Sequence, residues 1–159
     1  MILYRPVGLY ELALVARTAW RTFPPRLPEQ PIFYPVLDRT YADEIASRWN
    51  PPDPNSGFAG FVTRFSVPDP IGARYPAQTV GARRHRELWV PAEEQAAFEA
   101  HFVGPIEPLA AWVGPRIRDA LPSWEGPAGP VDAADLPALI LAAIRGPLHG
   151  GPLTLASPG

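Results

Sequence analysis

The residues with the clearest chemical potential are His85 and Glu87, two positions apart in Arg83-Arg84-His85-Arg86-Glu87-Leu88-Trp89-Val90. Residues two apart on a strand point to the same side, so an extended segment here presents a polar pair beside a basic loop. A carboxylate in that place can hydrogen-bond a ribose hydroxyl and stabilise an oxocarbenium-like transition state. The alternative for Glu87 is a surface carboxylate paired with Arg83, Arg84 or Arg86. Arg5, beside Tyr4 at the end of the first extended segment, can grip a phosphate in a bidentate manner, or it is an edge-strand arginine in water. Tyr34 and Tyr41 flank a strand-to-helix junction, where they either stack on a flat ring such as nicotinamide or fill the core. Arg26 follows the paired prolines of Phe23-Pro24-Pro25-Arg26. That stiff segment is a lid carrying Arg26 over a ligand or a rigid connection.

Several chemistries are disfavoured by what the chain lacks. No GxGxxG or P-loop pattern is present, so the two standard glycine-rich phosphate cradles are missing. There is no cysteine, which removes disulfides, thiolate nucleophiles and thiolate-bound metals. With no HExxH and three histidines far apart in sequence, no metal site is expected. The net charge of −2 draws the chain to neither nucleic acid nor anionic lipid, and the four residues of Arg83-Arg84-His85-Arg86 are too small a footprint for nucleic acid. No signal peptide or membrane-length apolar run is visible, so a cytoplasmic protein with no membrane association is expected.

The elements that must position these residues are short, because 23 of the 159 residues are proline. Residues 2–4 read as a strand and residues 9–20 as a helix, with Leu9, Leu12, Ala13, Ala16, Ala19 and Trp20 on one stripe. Residues 21–31 hold four prolines and must be a loop. Residues 32–34 are β-prone, and Thr40 with Asp43 suggests a capped helix running to Trp49. Residues 58–67 alternate as a half-buried strand. Residues 78–81 and 87–90 are further strands, a helix follows from Pro91 to His101, and residues 106–107 are a last short strand. Beyond Pro108 the pattern predicts a broken helix over 109–121, a linker over 122–130 and a helix over 133–145 opened by Asp132. Segregated short strands with few crossover helices indicate an α+β domain over residues 1–107. A Pro/Gly-rich extension with a C-terminal helix follows over 108–147, and a disordered tail over 148–159.

Four segments carry a resemblance: Leu3-Tyr4-Arg5-Pro6-Val7-Gly8, Phe23-Pro24-Pro25-Arg26-Leu27-Pro28, Pro31-Ile32-Phe33-Tyr34-Pro35-Val36-Leu37 and Glu87-Leu88-Trp89-Val90-Pro91-Ala92-Glu93-Glu94. Together they resemble a family of short bacterial proteins labelled ADP-ribosylation/crystallin J1. The crystallin J1 half implies larger, all-helical magnesium glycohydrolases, for which this chain has neither the length nor the acidic clusters. The layout instead resembles the ADP-ribosyltransferase fold, a small split β-sheet with short flanking helices. That resemblance implies NAD as a substrate, with Arg5 and Arg26 on its pyrophosphate and Tyr34 and Tyr41 on its nicotinamide. It also makes Glu87 the catalytic carboxylate, with His85 where that fold usually carries a Gln or Glu. No Ser-Thr-Ser motif accompanies Arg5. Two alternatives stand beside this expectation. One is a non-catalytic module binding a nucleotide or a protein in the same cleft. The other is an interaction protein whose helix over 133–145 docks on a partner, although that helix can equally cover its own sheet.

Overall fold

The computed structural model describes residues 1–81 and 85–146. The basic loop residues Arg83 and Arg84 and the expected C-terminal tail lie outside them.

The chain opens with strand β1 (Ile2–Gly8), longer than the predicted residues 2–4. Helix α1 (Leu9–Arg17) follows directly and buries Leu9, Leu12, Ala13 and Val15. It ends before the predicted Trp20 because Ala19 and Trp20 both take left-handed backbone, at φ 59° and 62°. The Thr18 hydroxyl then accepts from the amides of Arg21 and Thr22, supplying side-chain partners where the helical ladder has run out.

After the proline loop, β2 (Ile32–Phe33) leads to α2 (Arg39–Glu44). Asp38, not Thr40, occupies the cap position, and no side chain caps the helix. The helix continues as a π-helical turn over Ile45–Trp49. Gly60 explains how closely that turn approaches the next strand: a Cβ there would run into the Ala46 carbonyl.

Strand β3 (Ala59–Ser66) is the centre of the fold. It pairs antiparallel with β1 on one side and with β7 (Glu107–Val113) on the other, and β7 pairs with the two-residue β8 (Gly129–Pro130). The expected half-buried alternation is exceeded, since Phe61, Val62 and Thr63 are all fully buried. The sheet is covered on both faces, so both sets of side chains are removed from water.

β7 corrects the prediction for the second half of the chain. Leu109-Ala110-Ala111-Trp112-Val113 reads as helix from its alanines, yet pairing with the central strand overrides that local preference. The expected boundary at residue 107 therefore falls at the start of a sheet strand. Helix α6 (Leu136–Arg145) starts three residues later than predicted, with Pro137 in its first turn, where a missing N–H costs nothing. It packs on α1 and buries Leu139 and Ala143 in the same core as Leu3, Leu12 and Phe61. Residues 108–146 thus belong to the folded unit, and α6 covers the chain's own core.

The remaining strands extend the sheet on the β1 side. β4 (Ala77–Thr79) and β5 (Arg86–Leu88) form a hairpin, and β6 (Val90–Pro91) pairs with β2. Bridges from Val36 to Tyr4 and to Glu87 join these pieces to β1. Backbone bonds from Leu37 N to the Arg86 carbonyl and from Leu88 N to the Pro35 carbonyl hold the same register. Two single helical turns follow sheet strands, α3 (Asp69–Gly72) after β3 and α5 (Ile117–Ala120) after β7, and between β6 and β7, α4 (Gln95–Glu99) covers the core face with Phe98. The fold is mixed α and β, built on a four-stranded antiparallel sheet with short helices. No helix among the described residues is long and apolar enough to cross a membrane.

Candidate functional site

The register decides which predicted site residues meet. Directly opposed residues in an antiparallel ladder share a face, so the bridges Tyr4–Val36 and Val36–Glu87 place Tyr4, Val36 and Glu87 on one face. Arg5, next in the chain to Tyr4, faces the other way. Glu87 and Arg5 are therefore on opposite sides of the sheet.

Glu87 is only 4% exposed. Its Oε1 accepts from the Trp89 indole Nε1 at 3.0 Å, while Oε2 is buried without a hydrogen-bond partner among the described residues. Burial pushes the Glu87 carboxyl above the ordinary carboxylate range, and the indole hydrogen bond offsets part of that rise. Trp89, two residues on in the same strand direction, is 44% exposed and meets Tyr34 edge-on at 6.3 Å.

His85 extends the β4–β5 hairpin, its carbonyl accepting from Val80 N. Its ring stacks on Tyr41 at 4.3 Å, and its Nε2 lies 3.0 Å from Oε2 of Glu44 on α2. The Tyr41 hydroxyl is pushed upward by burial first, then by the negative charges of Glu87 and Glu44. Tyr41, His85, Glu44 and Glu87 thus form one cluster under the first turns of α2. Arg86, pointing away, pairs with Asp38 at 3.4 Å.

Arg26 approaches this group from the proline loop. Its guanidinium is 6.0 Å from the centre of the Tyr34 ring, and its Nε donates to the Ile32 carbonyl at 2.8 Å. Burial lowers its proton affinity to about 10, with the positive charge of Arg5 adding to the fall, so it stays cationic at neutral pH. Arg26, Tyr34, Trp89 and Glu87 consequently run as a chain of contacts, joined through Glu87 to Tyr41 and His85.

Arg5 is not part of it. It is 3% exposed, and its guanidinium holds Glu11 of α1 with Nε–Oε2 at 2.7 Å and Nη2–Oε1 at 3.2 Å. The rings of Phe23 and Phe33 lie 5.7 and 5.1 Å from it. The expected phosphate-gripping arginine is thus engaged in an internal ion pair, sealed under the loop that was read as a lid. Phe23 is anchored by Glu99 of α4, whose Oε2 accepts from the Phe23 amide at 2.6 Å. Gln95 donates to the Pro24 carbonyl at 3.0 Å. This segment is a fixed part of the core.

Three residues that fix these contacts carry no role in the sequence reading: Glu44 and Trp89 in the cluster, and Glu11 in the separate ion pair with Arg5. Glu44 lies three positions after Tyr41, one helical turn away on the same side, which is the only local signal that it accompanies Tyr41. Glu11 offers none, since its partner is set by the way α1 folds back across β1.

Compared with protein-family models, with curated proteins and with solved structures, the chain has no match.

Proposed function

We propose that this chain is an ADP-ribosyltransferase-like protein that takes NAD at the Glu87 site. The observation that carries this reading is the buried Glu87 carboxylate, with one oxygen held by the Trp89 indole and the other unpartnered among the described residues. A desolvated anion favours a cation far more strongly than a hydrated one does. The nicotinamide ring of NAD is such a cation, and its binding would offset the burial of Glu87. As the glycosidic bond breaks, positive charge moves onto the ribose, where the same carboxylate stabilises it. Tyr41 and Tyr34 supply ring faces, and Arg26 is the cation for the pyrophosphate. The four sequence segments resembling ADP-ribosylation-labelled proteins support the same reading, and so does the mixed α and β fold, for which the ADP-ribosyltransferase-like architecture is part of this proposal.

Arg5 is removed from the expected role, since Glu11 already holds it. That favours a second reading, a module that binds a nucleotide without turning it over. Calorimetry tests the shared premise. NAD should bind wild type, and Glu87→Gln should weaken binding by removing the anion opposite the pyridinium. ADP-ribose, which lacks the cationic ring, should be insensitive to the same change. Equal loss of both ligands, or no binding of NAD by wild type, contradicts the reading.

A further inference from the structure

A hollow of about 710 Å³ opens between the turn that ends α1 and helix α4, a size that small-molecule sites commonly have. Glu99, which lines it, holds the amide of Phe23, whose ring lies 5.7 Å from the Arg5 guanidinium. The hollow therefore belongs to the Arg5 side of the sheet, opposite Glu87. Two opposite charges line it without meeting. Glu99 is buried, and both hydrogen bonds it accepts, from Phe23 N at 2.6 Å and from Gln95 Nε2 at 3.4 Å, fall on Oε2. Oε1 accepts none among the described residues. A carboxylate oxygen desolvated without a donor is costly, and burial accordingly pushes the Glu99 carboxyl up to about 7. Arg21 stands at the exposed rim. Its amide donates to the Thr18 hydroxyl, while its guanidinium makes no ion pair among the described residues.

We propose that this hollow binds a small zwitterion, an amino acid with an apolar remainder, whose ammonium sits on Oε1 of Glu99 and whose carboxylate sits on Arg21. Opposite charges that share a hollow and do not pair are the complement of a molecule carrying both charges itself. A primary ammonium supplies the donor that Oε1 lacks, and a guanidinium matches a carboxylate with two parallel N–H bonds. A bare amine would leave Arg21 unmatched, and a bare acid would leave Glu99 so. The rest of the lining suits an uncharged remainder: Ala19, Ala96 and Ala100 leave room, and Phe102 offers a ring. Ala96 and Glu99 lie three apart on α4, on the same side of the helix, so the carboxylate is presented beside that open wall.

Calorimetry on the full chain, without NAD, tests the proposal. Leucine and ε-aminocaproate are the zwitterions, isopentylamine is the amine alone and isocaproate the acid alone. At pH 8 wild type should bind one of the zwitterions saturably, and more tightly than either half-molecule. Glu99→Gln should weaken both zwitterion and amine at least about tenfold. Arg21→Gln should weaken the zwitterion about threefold and leave the amine unchanged. Ala96→Leu, at an exposed position of the wall, fills the hollow with both charges in place and should abolish binding. From pH 8 to pH 6 the wild-type affinity should fall about tenfold as Glu99 takes up its proton, and Glu99→Gln should be flat over that range. The charged groups acting on Glu99 are Arg5 on β1 and Glu11 on α1, with Arg21 at the rim. Failure of wild type to bind either zwitterion overturns the proposal, and so does binding that Glu99→Gln and Ala96→Leu leave unchanged. An amine bound as tightly as the zwitterion, with Arg21→Gln silent, overturns the zwitterion assignment. Since no NAD is present, these outcomes stand apart from the Glu87 reading.

Discussion

Replacing Glu99 by glutamine should change how stability depends on pH. Glu99 is 8% exposed and sits among Phe23, Gln95 and the Arg5–Glu11 pair. Burial raises its carboxyl from 4.5 to about 7, against the lowering effect of the Phe23 amide, Gln95 and Arg5. The folded state therefore binds more protons than the unfolded state between those two values. Stability must fall as pH rises through that window and become flat above it. The gap corresponds to about 3 kcal/mol, of which about 2.5 kcal/mol lies between pH 5 and pH 8. Glu99→Gln keeps an oxygen that accepts from Phe23 N and has no charge to bury. Urea unfolding of both proteins at the two pH values measures the difference directly. The wild type should lose about 2.5 kcal/mol relative to the variant on going to the higher pH. A constant difference between the two proteins would refute the assignment of that proton to Glu99.

Breaking the Arg5–Glu11 pair by Arg5→Met should cost about 3 to 5 kcal/mol, because it leaves a buried carboxylate uncompensated. The double change Arg5→Met with Glu11→Leu should recover most of that in the same urea titration, and an additive loss would contradict the pairing. Gly60→Ala should lose about 3 kcal/mol or more, since the Ala46 carbonyl leaves no room for a methyl group; near-normal stability would show that the π-helical turn can move aside. Glu87→Gln should raise the melting temperature at neutral pH, because it removes a buried charge whose Oε2 has no partner among the described residues. A fall in melting temperature would mean that the charge is satisfied in the folded state.

Much of the fold was legible in local pattern. The alternation around Phe61 marked the central strand, the stripe from Leu9 to Ala13 marked α1, and α6 ends at Arg145, where the helix over 133–145 was expected to end. What was illegible depended on partners distant in sequence. β7 looks helical until β3 is placed beside it, and α1 ends early because of two left-handed residues that no propensity foretells. For the site, the period of two rightly put His85 and Glu87 on one side, and Tyr41 does join them through the His85 stack. The same period, carried across the sheet, separates Arg5 from Glu87, which could not be read without the bridge from Tyr4 through Val36. Glu44 and Glu11 were hidden because their roles come from how helices cross the sheet, not from spacing along the chain.

The most direct measurement of the central claim is nicotinamide release from NAD by wild type beside Glu87→Gln, at NAD concentrations that saturate both. Steady release by wild type, reduced about 100-fold or more in the variant, is the predicted result. Equal release by the two proteins, or none by a wild type that binds NAD, would contradict Glu87 as the group that stabilises the departing ribosyl cation.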